Sequence, residues 1–190
     1  MRQQDVMQRR EFLKKAGVGS VMLASFPAFA ELAQAASPQT NFHFVAISQA
    51  STIGGVAHWI GMSGDGKVTP GSVVGGGTFN HFDQNSPLPR TIFATGNWKA
   101  KELLSFDLIG TWGSFAAGIV EMGIHLVPAG GSPIPATLKM VCNLGFANLF
   151  NPGEAEGYTL TVPGAPFGPF VPFVPALGLT LFTTVNEQRD

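Results

Sequence analysis

The chain has 190 residues, with 11 Lys plus Arg against 12 Asp plus Glu and a formal net charge of −1. From residue 36 on there are 6 Lys plus Arg and 9 Asp plus Glu, so the basic patch of a nucleic-acid binder is missing and no nucleic-acid partner is expected. That stretch is one domain's worth of chain. Its 12 Leu, 8 Ile, 12 Val and 13 Phe suffice for a core, and its 22 Gly and 13 Pro suit many strands joined by tight turns.

The N-terminal 35 residues carry Arg9-Arg10-Glu11-Phe12-Leu13-Lys14, an apolar run from Ala16 to Phe29, and then small residues. Gly17, Gly19, Ser20 and Pro27 weaken any long helix, and the run is too short for about 30 Å of hydrocarbon, so no permanent membrane anchor is expected. Ala28-Phe29-Ala30 and Ala33-Gln34-Ala35 both satisfy the small-x-small rule of signal cleavage; cutting after Ala35 leaves Ala36-Ser37-Pro38 as an extended start. With Arg9, Arg10, Phe12, Leu13 and Lys14 as its core, the segment resembles a twin-arginine (Tat) signal peptide. The resemblance implies export of an already folded chain to a periplasmic or extracellular destination, with the Tat translocase and a signal peptidase as partners on the way. Such routing sometimes serves a cofactor inserted before export; which cofactor, if any, stays open. The expected organisation is a cleavable signal helix over 1–35 and a single secreted β domain over 36–190.

In that domain a two-residue period recurs and no long helical period does. Strands are expected at Asn41 to Ser48, Val56 to Ser63, Gly76 to Phe82, Thr91 to Thr95, Leu104 to Ile109, Ser114 to Val127, Ala136 to Leu144, Tyr158 to Val162 and Leu177 to Val185. Gly64-Asp65-Gly66-Lys67 reads as a tight hairpin, Asn85 to Pro89 and Asn151-Pro152-Gly153 as loops, and Trp98 to Leu104 as a short helix. Two strands show their faces: Val120, Met122, Ile124 and Leu126 against Glu121, Gly123 and His125, and Ala136, Leu138, Met140, Cys142 and Leu144 against Lys139 and Asn143. The fold class expected is all-β, an antiparallel sandwich or closed barrel of about eight or nine strands, the sandwich preferred.

Between the last two strands lies Pro166-Phe167-Gly168-Pro169-Phe170-Val171-Pro172-Phe173-Val174-Pro175. Proline at every third position removes ladder donors and favours polyproline II, which places Phe167, Phe170 and Phe173 along one edge and excludes a central strand. The stripe is either a cap on an open end of the core or an exposed ridge for a partner, a ligand or self-assembly.

Candidate chemistry is sparse. His43, His58, His81 and His125 lie in expected strands with no HxH or HxxxH spacing, so a metal site would need distant strands. His43 shares a face with Val45 and Ile47, and His58 with Val56, Ile60 and Met62, which reads as core or rim histidines. Cys142 is the sole cysteine; it reads as a buried small hydrophobe, and with no later His it fails the blue-copper pattern. Glu121 and His125 are four residues apart on one strand, about 13 Å at roughly 3.3 Å per residue, too far for a direct bond. Glu154 and Glu156 share a loop and read as solvent-facing carboxylates. Gly61-Met62-Ser63-Gly64-Asp65 departs from the GxSxG elbow at its last position, and Gly75-Gly76-Gly77 and Gly130-Gly131 lack phosphate-loop partners, reading instead as bends or bulges.

Val74-Gly75-Gly76-Gly77-Thr78-Phe79 together with Ala94-Thr95-Gly96 is similar to the glycine-rich strands of dirigent or allene-oxide-cyclase-type β-barrels, over about a quarter of the domain. The similarity implies a barrel with an apolar cavity and carries over no catalytic residue. Three functions follow: a non-catalytic exported protein acting by binding or assembly, with a homo-oligomer or an apolar ligand as partner; a barrel holding a small apolar ligand, with cyclase or stereo-directing activity; or a metal-dependent enzyme built on His43, His58, His81 or His125. The first is preferred.

Overall fold

The computed structural model describes residues 39–144, 150 and 152–185. The signal motif Arg9, Arg10, Phe12, Leu13 and Lys14 and the cleavage residues Ala33 and Ala35 lie outside the described residues. Eight strands, β1 Gln39–Gln49, β2 His58–Thr69, β3 Ser72–Asp83, β4 Thr91–Trp112, β5 Phe115–Pro128, β6 Ile134–Cys142, β7 Gly157–Thr161 and β8 Val171–Val185, pair antiparallel in one sheet. Their order is β4-β3-β2-β1-β8-β5-β6-β7, and β4 also pairs with β5. The pairings therefore run from β1 through β4 to β5 and return by β8 to β1, so the sheet is partly ring-like. The all-β antiparallel expectation holds, in a single curled sheet.

Period-two burial fixes the inner face. Phe42, Phe44 and Ala46 of β1, Val120, Met122, Ile124 and Leu126 of β5, and Ala136, Leu138, Met140 and Cys142 of β6 are buried, each large side chain contributing about 1.5–3 kcal/mol. The face assignments for β5 and β6 are thereby met.

The inner faces of β2 and β3 are different, because glycine occupies many of their positions. Gly77 stands opposite both Trp98 and Gly64, and Gly66 stands opposite both Phe42 and Gly75. A methyl group at Gly77 would lie 2.7 Å from Trp98 Nε1, and one at Gly66 or Gly75 would lie 2.5 or 2.6 Å from Phe42 Cζ. The rings of a β4 and a β1 residue thus rest on bare backbone, and Trp98 Nε1 donates to Ser63 O of β2 at 2.9 Å, spanning β3. This corrects the hairpin expected at Gly64 to Lys67: those residues run straight through β2, their glycines serving ring packing, and the turn comes at Pro70-Gly71, where Gly71 takes φ +75° after a proline.

Two further departures share a physical cause. β4 is one strand where two strands and a short helix were expected; bulges at Ala100/Glu102, Leu103/Ser105 and Leu108/Gly110 interrupt its alternation, so the sequence loses period two without leaving the sheet. β8 begins at Val171 and contains Pro172 and Pro175, contrary to the exclusion of a strand there. Its register with β1 jumps from Leu177 opposite Ile47 to Pro172 opposite Ser48, so the residues between them bulge out of the ladder and Pro175 has no ladder bond to donate.

Replacing Gly77 or Gly66 with Ala is expected to lower stability by about 1–3 kcal/mol each through overpacking against Trp98 or Phe42. The urea midpoint of each variant measures it.

Candidate functional site

The four histidines divide among three environments. His43 is exposed on the outer face of β1, so the face it shares with Val45 and Ile47 is the outer one, and the expectation of a core or rim histidine is corrected there. Both alternate sets of β1 are apolar, which hides the choice from periodicity. His125 is half-buried on the outer face of β5. His58 and His81 are brought together on the inner face at one end of the sheet, with His58 Nδ1 and His81 Nε2 3.0 Å apart, one donating to the other.

An aromatic cluster closes around this pair. The ring of His58 stacks on Phe167 with centroids 4.6 Å apart, and His81 meets Phe93 at 4.9 Å and Phe170 at 5.3 Å. Phe170 is buried, and its backbone exchanges two 2.9 Å bonds with Leu160 of β7; Ser51 N donates to Phe167 O at 3.1 Å. Burial, followed by the neighbouring charge of His58, pushes the His81 imidazole down to about 4. Phe173 goes elsewhere, packing edge-on to Trp59 at 4.7 Å. The three phenylalanines are divided between two places because the three-residue period gives way to a strand at Val171.

Of the carboxylates, Glu154 forms an ion pair with Lys139. Glu156 is half-buried and corrects the solvent-facing expectation: it accepts from Asn143 N at 2.5 Å and Thr180 N at 3.3 Å, tying the β7 approach to β6 and β8. Its burial raises its pKa. Cys142 is buried as expected, its thiol pushed up to about 11 chiefly by burial, and it donates to Thr180 O at 3.3 Å. A thiol so protonated is a poor nucleophile. Among the described residues no three His, Cys, Asp or Glu side chains stand together as a metal-holding group.

The outer face supplies a site that the motif search missed. Above β5 and β6 that face carries Glu121, His125 and Lys139. Above β1 and β8 it carries Val45, Ile47, Leu177 and Leu179, of which Val45 is 55%, Leu177 43% and Leu179 53% exposed. Register places Ile47 beside Leu177 and Val45 beside Leu179, so these form one apolar strip. Next to it runs a groove of about 580 Å³ over β1, β2, β3 and β8, bounded by Val45, Ile47 and Leu177 on one side, Ser63, Thr78 and Asn80 on the other, and Phe82. No known family, curated protein or solved structure matches the chain. The site's chemistry therefore rests on these residues alone. The sequence signals for it were β1 reading apolar on both faces and the alternation of Leu177, Leu179 and Leu181 in the last strand.

The histidine pair generates a pH prediction. Between pH 6.5 and about 4 the unfolded chain binds a proton at His81 that the folded chain refuses, so this group's contribution is present above that window and lost as pH falls through it. Glu156 acts in the opposite sense, its raised folded value holding a proton that the unfolded chain releases. Urea midpoints at pH 7 and pH 4.5 are expected to fall further for the wild type than for His81→Gln, with Glu156 common to both.

Proposed function

We propose that the chain is an exported, non-catalytic β protein that acts by binding outside the cytoplasm, through the outer face of β1, β2, β3 and β8. The observation that carries this reading is the contiguous apolar strip Val45, Ile47, Leu177 and Leu179 beside the groove, on the side of a sheet where polar residues normally meet water. The Arg9 to Lys14 motif and the Ala33-Gln34-Ala35 cleavage sequence support export by the Tat route. The barrel-interior ligand reading is less favoured, since Phe44, Trp98, Met122 and Tyr158 fill the space between the inner faces.

Self-assembly is the second reading, and it draws on a different feature. Among the described residues β3 pairs with β4 only as far as Lys99, so beyond that residue β4 has β5 along one edge and no described strand along the other, with Leu104, Leu108 and Ile109 exposed. Such an edge accepts another strand, although its three bulges blunt it.

Replacing Arg9 and Arg10 together with Lys is expected to hold the protein in the cytoplasm, as read by fractionation. Native mass spectrometry of the exported, untagged protein tests the binding face: the pair of substitutions Val45→Asp and Leu179→Asp is expected to remove any retained mass or oligomer while lowering the unfolding free energy from urea titration by no more than about 1 kcal/mol, the cost of two like charges set opposite each other on paired strands. Retention unchanged by both substitutions overturns the reading.

A further inference from the structure

Gly61 differs from the other strand glycines. At Gly64, Gly66, Gly75 and Gly77 an added methyl group would collide with a ring or the backbone, whereas at Gly61 its nearest neighbour would be Ile47 Cγ1 at 3.9 Å, an ordinary contact. Its backbone is not in the positive-φ region either. A glycine weakens a strand and commonly marks a place where something approaches the backbone closely. Neither packing nor conformation requires one here, and what its missing side chain leaves is open space on the outer face.

We propose that Gly61 is the floor of a binding site for a neutral lipid-like molecule with an aliphatic body and an uncharged hydrogen-bonding end. The inference rests on the reading that this outer face binds. Ile47 and Asn80 stand directly opposite Gly61 on the two neighbouring strands, so the slot is two strand spacings across, about 10 Å between backbones. One wall, Val45, Ile47 and Leu177, takes hydrocarbon. The other offers Asn80 and the hydroxyl pair Ser63 Oγ and Thr78 Oγ1, 3.0 Å apart; one hydroxyl hydrogen serves that bond and the other is left for a ligand.

Charge and size choose the occupant. The lining carries no charged side chain, and on this face the next row, His43 opposite Asp65, holds the closest ionisable side chains along β1 and β2, so an anionic headgroup finds no cation in the slot. A volume of about 580 Å³ falls within the roughly 300–1,000 Å³ of small-molecule sites. The lining is about half of the roughly 20–30 residues that a stable protein interface uses on each side, which favours a small molecule over a second copy.

The test titrates 1-monolauroylglycerol, below its micellar concentration, into the mature protein, following backbone amide shifts by NMR. Saturable shifts are expected at Val45, Gly61 and Thr78, with laurate at neutral pH binding at least tenfold more weakly. Gly61→Leu fills the slot and is expected to weaken binding at least tenfold at an unchanged urea midpoint. Thr78→Val, which keeps the shape and removes a hydroxyl, is expected to weaken it about threefold to tenfold, and decides the matter should Gly61→Leu fold poorly. Absence of binding to wild type, or binding indifferent to both variants, overturns the ligand assignment. If monolauroylglycerol fails while Val45→Asp with Leu179→Asp still abolishes a retained partner or oligomer, the ligand class falls and the binding face stands; if both fail, both fall.

Discussion

The packing of two aromatic rings on bare glycine backbone is the constraint around which the rest of this protein is arranged. Trp98 reaches from β4 over Gly77 to the β2 carbonyl of Ser63, and Phe42 reaches from β1 over Gly66 and Gly75. The middle of the sheet thus receives much of its inner lining from its neighbours. With side chains absent from the concave side of β2 and β3 at Gly64, Gly66, Gly75 and Gly77, the backbone can bend toward the rings there, and a bend of that kind brings β4 round to β5. Phe44 joins the two halves of the arrangement, lying 5.8 Å from Trp98 and 5.6 Å from Tyr158 between ring centroids. Tyr158, fully buried, donates to Ile60 O at 2.6 Å, so even its polar end is satisfied.

The same constraint separates the two faces. The inner face is specified by rings that need glycine opposite them, and substitutions there are costly. The outer face is under no such demand, so its composition reflects contact with solvent or a partner. Along the middle of β5 and β6 it carries Glu121, His125, Thr137 and Lys139. Where it covers β1 and β8 it is apolar, and Gly61 leaves it indented. At the sheet's end the β7 to β8 connection is held by Phe167 and Phe170 on the His58–His81 pair, which ties a long loop to the core through rings.

The strand pattern of β5 and β6 was legible because one face of each is wet and the other dry. β1 was legible as a strand and illegible as to face, since Phe42 and Phe44 alternate with Val45 and Ile47. The glycine runs were visible, but their purpose depended on Trp98 and Phe42, residues many positions away, so Gly64 and Gly66 resembled a turn. β4 disappeared behind its bulges, and Pro172 and Pro175 disguised β8 because the register jump that tolerates them is a tertiary feature. The pairing of His58 with His81 followed from the register of β2 with β3, which no local spacing encodes.

The pairing of β1 with β8 has a temporal consequence. β1 and β8, the first and last strands of the described sheet, are neighbours along most of their length, so the circuit of hydrogen bonds cannot be completed until β8 has been synthesised. Contacts this distant in sequence form slowly, because the long chain between them must first be ordered. A chain threaded through a membrane as it emerged would arrive with two long strand edges uncovered, whereas one released whole and folded first would arrive with both already joined.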